Sequence, residues 1–221
     1  MSSHTSYRLS GIALLIGSIL SIAYYLSGAF VNGNDLASIT SPLIVVGSVI
    51  GFIGSVLVLL GLPGMYARQA GRAGILGLLG FLFLWYVTLF QGVIIPFSNV
   101  TIISQIAAHI VPASLTIVTT SPPAWTPFTI ASMVSEVLGI ILLAIATLRA
   151  QIFPRWTGWL LVATLVVGVV SFVPFFPAAL SSLVAIIASI AVAGFGYTLL
   201  LPERQVTASP APVTTKAEIR V

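Results

Sequence analysis

Glu136 is the residue whose type and position most invite chemistry. It is one of only four acidic residues in the chain. It is also the only charged side chain expected within the hydrocarbon depth of a membrane, near the middle of an apolar stretch from about Phe128 to Leu148. Ionisable groups at that depth are costly and are commonly functional. A central carboxylate costs about 3 kcal/mol to insert, while roughly ten aliphatic neighbours each return about 0.5 kcal/mol, so the stretch still enters lipid. At helical spacing Thr129, Ser132, Glu136 and Gly139 share one face, which points the carboxyl toward other helices. In one reading Glu136 carries a proton or binds a cationic solute; in the other it is a hydrogen-bonded structural acid.

The remaining chemistry-bearing residues are sparse. Gln91, Tyr24, Tyr25 and Tyr86 fall within or near apolar stretches and could line a cavity. His109 lies in a long connection and His4 at the amino terminus, so neither can join a ligand cluster inside the membrane. The chain has no cysteine, which removes thiolate catalysis, disulfides and Cys-ligated metals. It contains no H-E-x-x-H, no G-x-S-x-G and no Walker loop. No catalytic residue, metal site or cofactor is expected. An enzyme with a site around Gln105 and His109 is the least favoured reading.

The elements that must position these residues are membrane helices. Charged residues make up 5% of the chain and apolar ones 58%, whereas a soluble domain carries about a quarter charged residues. Hydrocarbon about 30 Å thick calls for roughly 20 apolar residues per helix. The sequence predicts an all-α, polytopic bundle of about six spans, at 9–31, 42–62, 74–95, 128–148, 157–173 and 178–201. A long outer connection covers 96–127, and a polar tail, 202–221, reads as disordered. Pro63 and Gly64 mark the end of the second span and Pro96 the end of the third. Trp125, Trp156 and Trp159 suit an interfacial belt, whereas mid-span Trp85 suits packing.

Orientation follows from the positive charge, because Lys and Arg in short loops stay on the cytoplasmic side. With six spans and the amino terminus inside, Arg8, Arg68, Arg72, Arg149, Arg155 and Arg204 are all cytoplasmic, as are Lys216 and Arg220. A seventh span within 96–127 would send every basic residue after it outside. The same scattered charges form no patch, so the net charge of +4 does not signal a nucleic-acid partner. The expected partner is the lipid bilayer, with a second copy or another membrane subunit left open.

Small residues let helix backbones approach within lipid. Gly47, Gly51 and Ser55 recur at four-residue spacing in the second span, and Ser181, Ala185, Ser189 and Ala193 do so in the sixth. Gly71, Gly74, Gly77 and Gly80 recur every third residue. The basic turns GSVLVLLGLPGMYARQAGRAG, Gly54 to Gly74, and GIILLAIATLRAQIFPRWTG, Gly139 to Gly158, are loosely alike, as in a duplication. The runs LPGMYARQAGRAG, from Leu62, and LRAQIFPRWTGWLL, from Leu148, resemble loops of a family of uncharacterised six-helix integral membrane proteins of bacteria. That resemblance implies a bacterial cytoplasmic membrane and brings no established activity. The expected function is a non-enzymatic structural or accessory membrane component, with a small proton- or cation-coupled transporter using Glu136 as the alternative.

Overall fold

The computed structural model describes residues 3–30, 40–107, 123–171 and 179–201, which lie in helices and the short segments joining them. Helix α1 spans Ser3–Ala29 and α2 spans Pro42–Val87; a π-helical segment, Thr88–Ile94, leads into α3, Ile95–Ala107. After a 3-10 turn at Pro123–Trp125 come α4, Thr126–Ala150, α5, Arg155–Ser171, and α6, Ala179–Leu200. Among the described residues, 5–29, 42–103, 126–150 and 182–200 are long and apolar enough to cross a membrane, and Arg155–Val170 is a shorter apolar helix. Their outward faces carry Ile19, Leu60, Ile75 and Trp159, each more than 60% exposed. So continuous an apolar exterior suits lipid rather than water.

The 62-residue stretch from Pro42 to Ile103 does not run straight. Gly74 adopts φ 57° and ψ −151°, a backbone conformation essentially confined to glycine, and the chain reverses there. Tyr66 stacks on Phe81 with ring centroids 5.1 Å apart, Phe52 meets Phe97 at 6.1 Å, and Ser55 packs on Gly92. Along a straight helix residues 66 and 81 would sit about 22 Å apart. The element is therefore a helical hairpin with a one-residue hinge, its first limb 42–73 and its second limb 75–87.

Two expected boundaries are corrected by this hairpin. The first limb passes Pro63 instead of ending at Leu62, because Leu62, Met65 and Gln69 are wholly buried and their packing outweighs the one helical hydrogen bond that proline removes. The turn at 63–73 is thus helix, and its end is set by Gly74. Pro96 likewise does not stop the third span. It follows the π-helical segment, where the Ile95 N–H bonds the Phe90 carbonyl, so its missing N–H falls where the hydrogen-bond register is already changing. Part of the expected 96–127 connection is consequently α3; residues 108–122 lie outside the described chain.

α4, α5 and α6 match their expected spans to within two residues at each end, and α1 starts six residues earlier than expected. The tail 202–221, with Arg204, lies outside the described residues. The two basic turns differ in build: one is the Gly74 hinge, the other a short loop opened by Gln151, whose left-handed backbone (φ 51°) caps α4.

Neighbouring rods run antiparallel and close a ring in the order α1, first limb of α2, second limb, α4, α5, α6. Leu14, Leu62, Met65, Leu143, Phe195 and Leu199 fill its centre, none more than 2% exposed. Ser10 abuts Gly64, Phe153 meets Phe195 edge-on at 4.9 Å, and Ala73 shares a buried cluster with Ala146 and Ala150. These contacts gather the start of α1, the Gly74 hinge and the α4–α5 loop at one end of the bundle. Arg8, Arg68, Arg72, Arg149 and Arg155 belong to those segments and so share that end.

Candidate functional site

α4 presents two faces to different surroundings. Met133, Val134, Val137 and Leu138 point outward, each more than 40% exposed, while Ser132, Ser135, Gly139 and Ile140 are buried. Glu136 lies on the edge of the buried face and is half-buried, about 15 Å along the helix from Thr126. Glycine brings the neighbouring rod close at this level: a methyl group on Gly139 would sit 3.0 Å from Phe83 Cβ and 3.2 Å from Leu84 N.

That close approach carries the π-helical segment to the carboxyl. Gln91 Nε2 donates to Ser132 Oγ at 2.8 Å and to Glu136 Oε2 at 3.0 Å. A planar amide NH₂ has two hydrogens, one for each acceptor. A π turn widens the helix by one residue and often appears where a side chain must be re-aimed for function. On α1, the ring of Tyr25 sits 5.1 Å from that of Tyr24. The carboxyl is thus held by the neutral amide of Gln91, which also binds the neutral Ser132 hydroxyl. Arg149, on the same helix, is about 20 Å away along the axis. The ring of Phe90, next to Gln91 in sequence, lies 6.0–6.3 Å from those of Tyr86, Trp125 and Phe128.

The other residues singled out by the sequence are placed as follows. Thr129 shares the Glu136 face by spacing, but its hydroxyl donates to the Trp125 carbonyl at 3.1 Å instead of joining the cluster. Tyr24 packs against Gly51, and Tyr86 Oη donates to the Phe128 carbonyl at 3.3 Å. Gln105 is exposed, and His109 lies outside the described residues, as do the side chains of His4 and Ser181. Trp85, expected to pack, is 38% exposed.

Gly47 and Gly51 do meet α1, at Ser27 and Tyr24, and Ser55 meets Gly92. On α6 the stripe is less central: Ala185 and Ala193 are half-buried and the Ser189 hydroxyl donates to Ala185 O at 2.8 Å. The tight contacts there belong to Gly194, against Trp156 and Thr157, and to Gly196, against Gly11.

Sequence reasoning missed two backbone-to-backbone pairs, Gly17 with Gly54 and Gly11 with Gly196. It also passed over a set of sealed polar atoms: Ser18 Oγ, Ser48 Oγ, Thr147 Oγ1 and both amide atoms of Gln69 have no hydrogen-bond partner among the described residues. Glycine on a helix that must touch two neighbours was the available signal for the first. A glutamine inside a basic turn reads as solvated, so nothing signalled the second.

Among the described residues, no three His, Asp or Glu side chains come together as a metal-binding group. What the arrangement offers is a carboxyl held by an amide, which also ties in a hydroxyl, with no cationic side chain in the cluster. Such a group can accept a proton or a cation. No known protein family, curated protein or solved structure matches the chain.

Proposed function

We propose that the chain is a six-span integral membrane protein, both ends cytoplasmic, in which Glu136 is an intramembrane proton- or cation-binding site of a small transporter. The observation that carries this reading is the Gln91 amide on the carboxyl, set in a π-helical segment that itself contains no basic residue. The count of six rests on treating the two limbs of the Gly74 hairpin as separate crossings and α5 as a crossing despite its shorter apolar length. The orientation rests on the arginines gathered at one end, which lipid physics keeps in the cytoplasm. A bacterial cytoplasmic membrane is the proposed location.

Vesicles containing the purified protein and a pH-sensitive dye test the site. Under an imposed proton, sodium or potassium gradient, Glu136→Gln is expected to reduce flux at least tenfold while the protein stays folded. Gln91→Leu is expected to lower flux and to cost about 1–3 kcal/mol of stability, since it strips a half-buried carboxyl and a buried hydroxyl of their donor. Wild-type vesicles impermeable to all three cations would sink the transport reading.

One observation favours a second reading, a non-enzymatic structural or accessory component: Gln91 joins two rods, so the triad also acts as an interhelical clamp. In that case Gln91→Leu lowers the melting temperature and no flux changes.

The topology has its own test, because the natural chain has no cysteine. Single cysteines at the exposed positions Arg72, Gln151 and Thr101 are expected to react with an impermeant thiol reagent from the cytoplasmic side for the first two and from the opposite side for Thr101. Reaction of Arg72→Cys and Gln151→Cys from opposite faces contradicts the six-span arrangement.

A further inference from the structure

Gln69 is fully buried and Thr147 is 1% exposed, yet three of their side-chain polar atoms find no partner among the described residues. They belong to one layer. Met65 and Leu143 share the central apolar cluster, and Ala73, Ala146 and Ala150 share the next cluster toward the hinge. The first limb of α2 and α4 both run toward the basic end, so Gln69 lies one turn beyond Met65 and one turn before Ala73. Thr147 lies one turn beyond Leu143 and just before Ala150. The register therefore places an orphan amide and an orphan hydroxyl at the same level of the bundle, next to the small alanine side chains.

Sealed polar groups almost always have partners, and the cost of leaving them unmet is greatest where lipid surrounds the bundle. Together the two residues offer an amide donor, an amide acceptor and a hydroxyl that is both, with no net charge. That set matches a water molecule, which needs two to four such partners. It fits a bare cation poorly, since one carbonyl and one hydroxyl fall short of a coordination shell.

The layer also has a place on the axis of the ring. Thr147 is about 16 Å along α4 from Glu136. Between the two levels stand Ile140, Leu143 and Ala144 on α4, with Val58, Leu62 and Met65 on α2, all buried in one apolar cluster. Polar groups thus occur above and below a sealed apolar layer. We infer that Gln69 and Thr147 form a second polar site, occupied by water, and that it and Glu136 are two stages of one hydrated route that the Leu62–Met65–Leu143 layer holds shut. This inference rests on the transport reading of Glu136 and adds to it the inner stage and the gate.

The test is proton leak into vesicles holding the full-length protein and an internal pH dye, with the membrane potential clamped and no other solute gradient. Leu143→Ser, which hydrates the layer, is expected to raise the leak about tenfold over wild type, and Gln69→Leu added to it is expected to restore tightness. Leu60→Ser, on the lipid-facing side of the same limb, is the control and is expected to stay tight. Met65→Ala replaces Leu143→Ser if that variant does not fold. A folded gate variant as tight as wild type overturns the inference. If wild type conducts cations under a gradient but the gate variants do not leak, the inference fails alone. If Leu143→Ser leaks equally with and without Glu136→Gln, the gate and inner stage stand and the role of Glu136 falls.

Discussion

Replacing Gly17 with leucine is expected to unfold or severely loosen the bundle, with a loss of about 3 kcal/mol or more. A Cβ at position 17 would lie 2.6 Å from the Gly54 carbonyl oxygen and 2.9 Å from the Val58 backbone nitrogen. Seen from the other rod, a Cβ on Gly54 would lie 2.9 Å from Gly17 O and 3.0 Å from Ser21 N. The obstacles are main chain in both directions, so no rotamer change can relieve them. The rods would have to separate, and in lipid no apolar driving force compensates for the van der Waals packing that separation removes.

α1 is especially exposed to this failure because it is held in the same way on a second side. Gly11 and Gly196 are reciprocally placed, each with a would-be Cβ 2.8 Å from the other's carbonyl oxygen. Six residues separate Gly11 from Gly17, which turns the second contact about 120° away around the helix. One helix thus meets two neighbours through bare backbone. Gly71→Ala is the contrasting substitution: nothing lies within 4 Å of a Cβ there, and alanine is favoured over glycine in a helix by about 1 kcal/mol. Thermal unfolding in detergent should therefore move in opposite directions for the two variants. A Gly17→Leu protein that melts with wild type would mean that α1 does not pack as described.

Lipid physics makes much of this fold legible in the sequence. Helices within apolar runs follow from the need to satisfy every backbone polar group internally, and α4, α5 and α6 fall where the runs predict. The Glu136–Ser132 pair is legible for the same reason, since a shared helical face is a matter of spacing alone. Gln91 stands out only as a polar residue near a span. Its approach to Glu136 depends on a π turn and on the meeting of two rods, neither of which has a local signal. Pro63 and Pro96 mislead because a proline in water-facing sequence is a strong stop, whereas here buried side chains carry the helix past Pro63 and the π-helical register change accommodates the missing N–H of Pro96. Glycine spacing draws attention to Gly47 and Gly51, where a Cβ would meet Ser27 and Tyr24 of α1. It does not separate Gly71, which meets nothing, from Gly80, whose Cβ would sit 2.8 Å from Leu143 N. That difference belongs to the neighbouring helix and is not written in the segment itself.

Gly74→Val is expected to disrupt the hairpin, at a cost of about 3 kcal/mol, and the reason is backbone strain alone. Beyond its own chain neighbours, no described atom lies within 4 Å of a Cβ built at this position, so crowding by another part of the fold cannot account for a loss. The backbone angles can: φ 57° with ψ −151° lies in a region that β-branched residues do not enter. Asparagine should give little rescue, because it tolerates the left-handed helical well near ψ of about +45° rather than this one. The absence of native cysteine again supplies a clean readout. Cysteines replacing Tyr66 and Phe81, whose rings are 5.1 Å apart, should be joined efficiently by a short bifunctional thiol reagent when residue 74 is glycine. Joining should fall sharply with valine or asparagine there, because relaxing the hinge toward ordinary helical angles moves the two positions toward the roughly 22 Å of a straight helix. Since Gln91 reaches Glu136 only after the chain has folded back, the same substitution should also abolish cation flux. Equal cross-linking in the glycine and valine proteins would show that the reversal does not depend on Gly74.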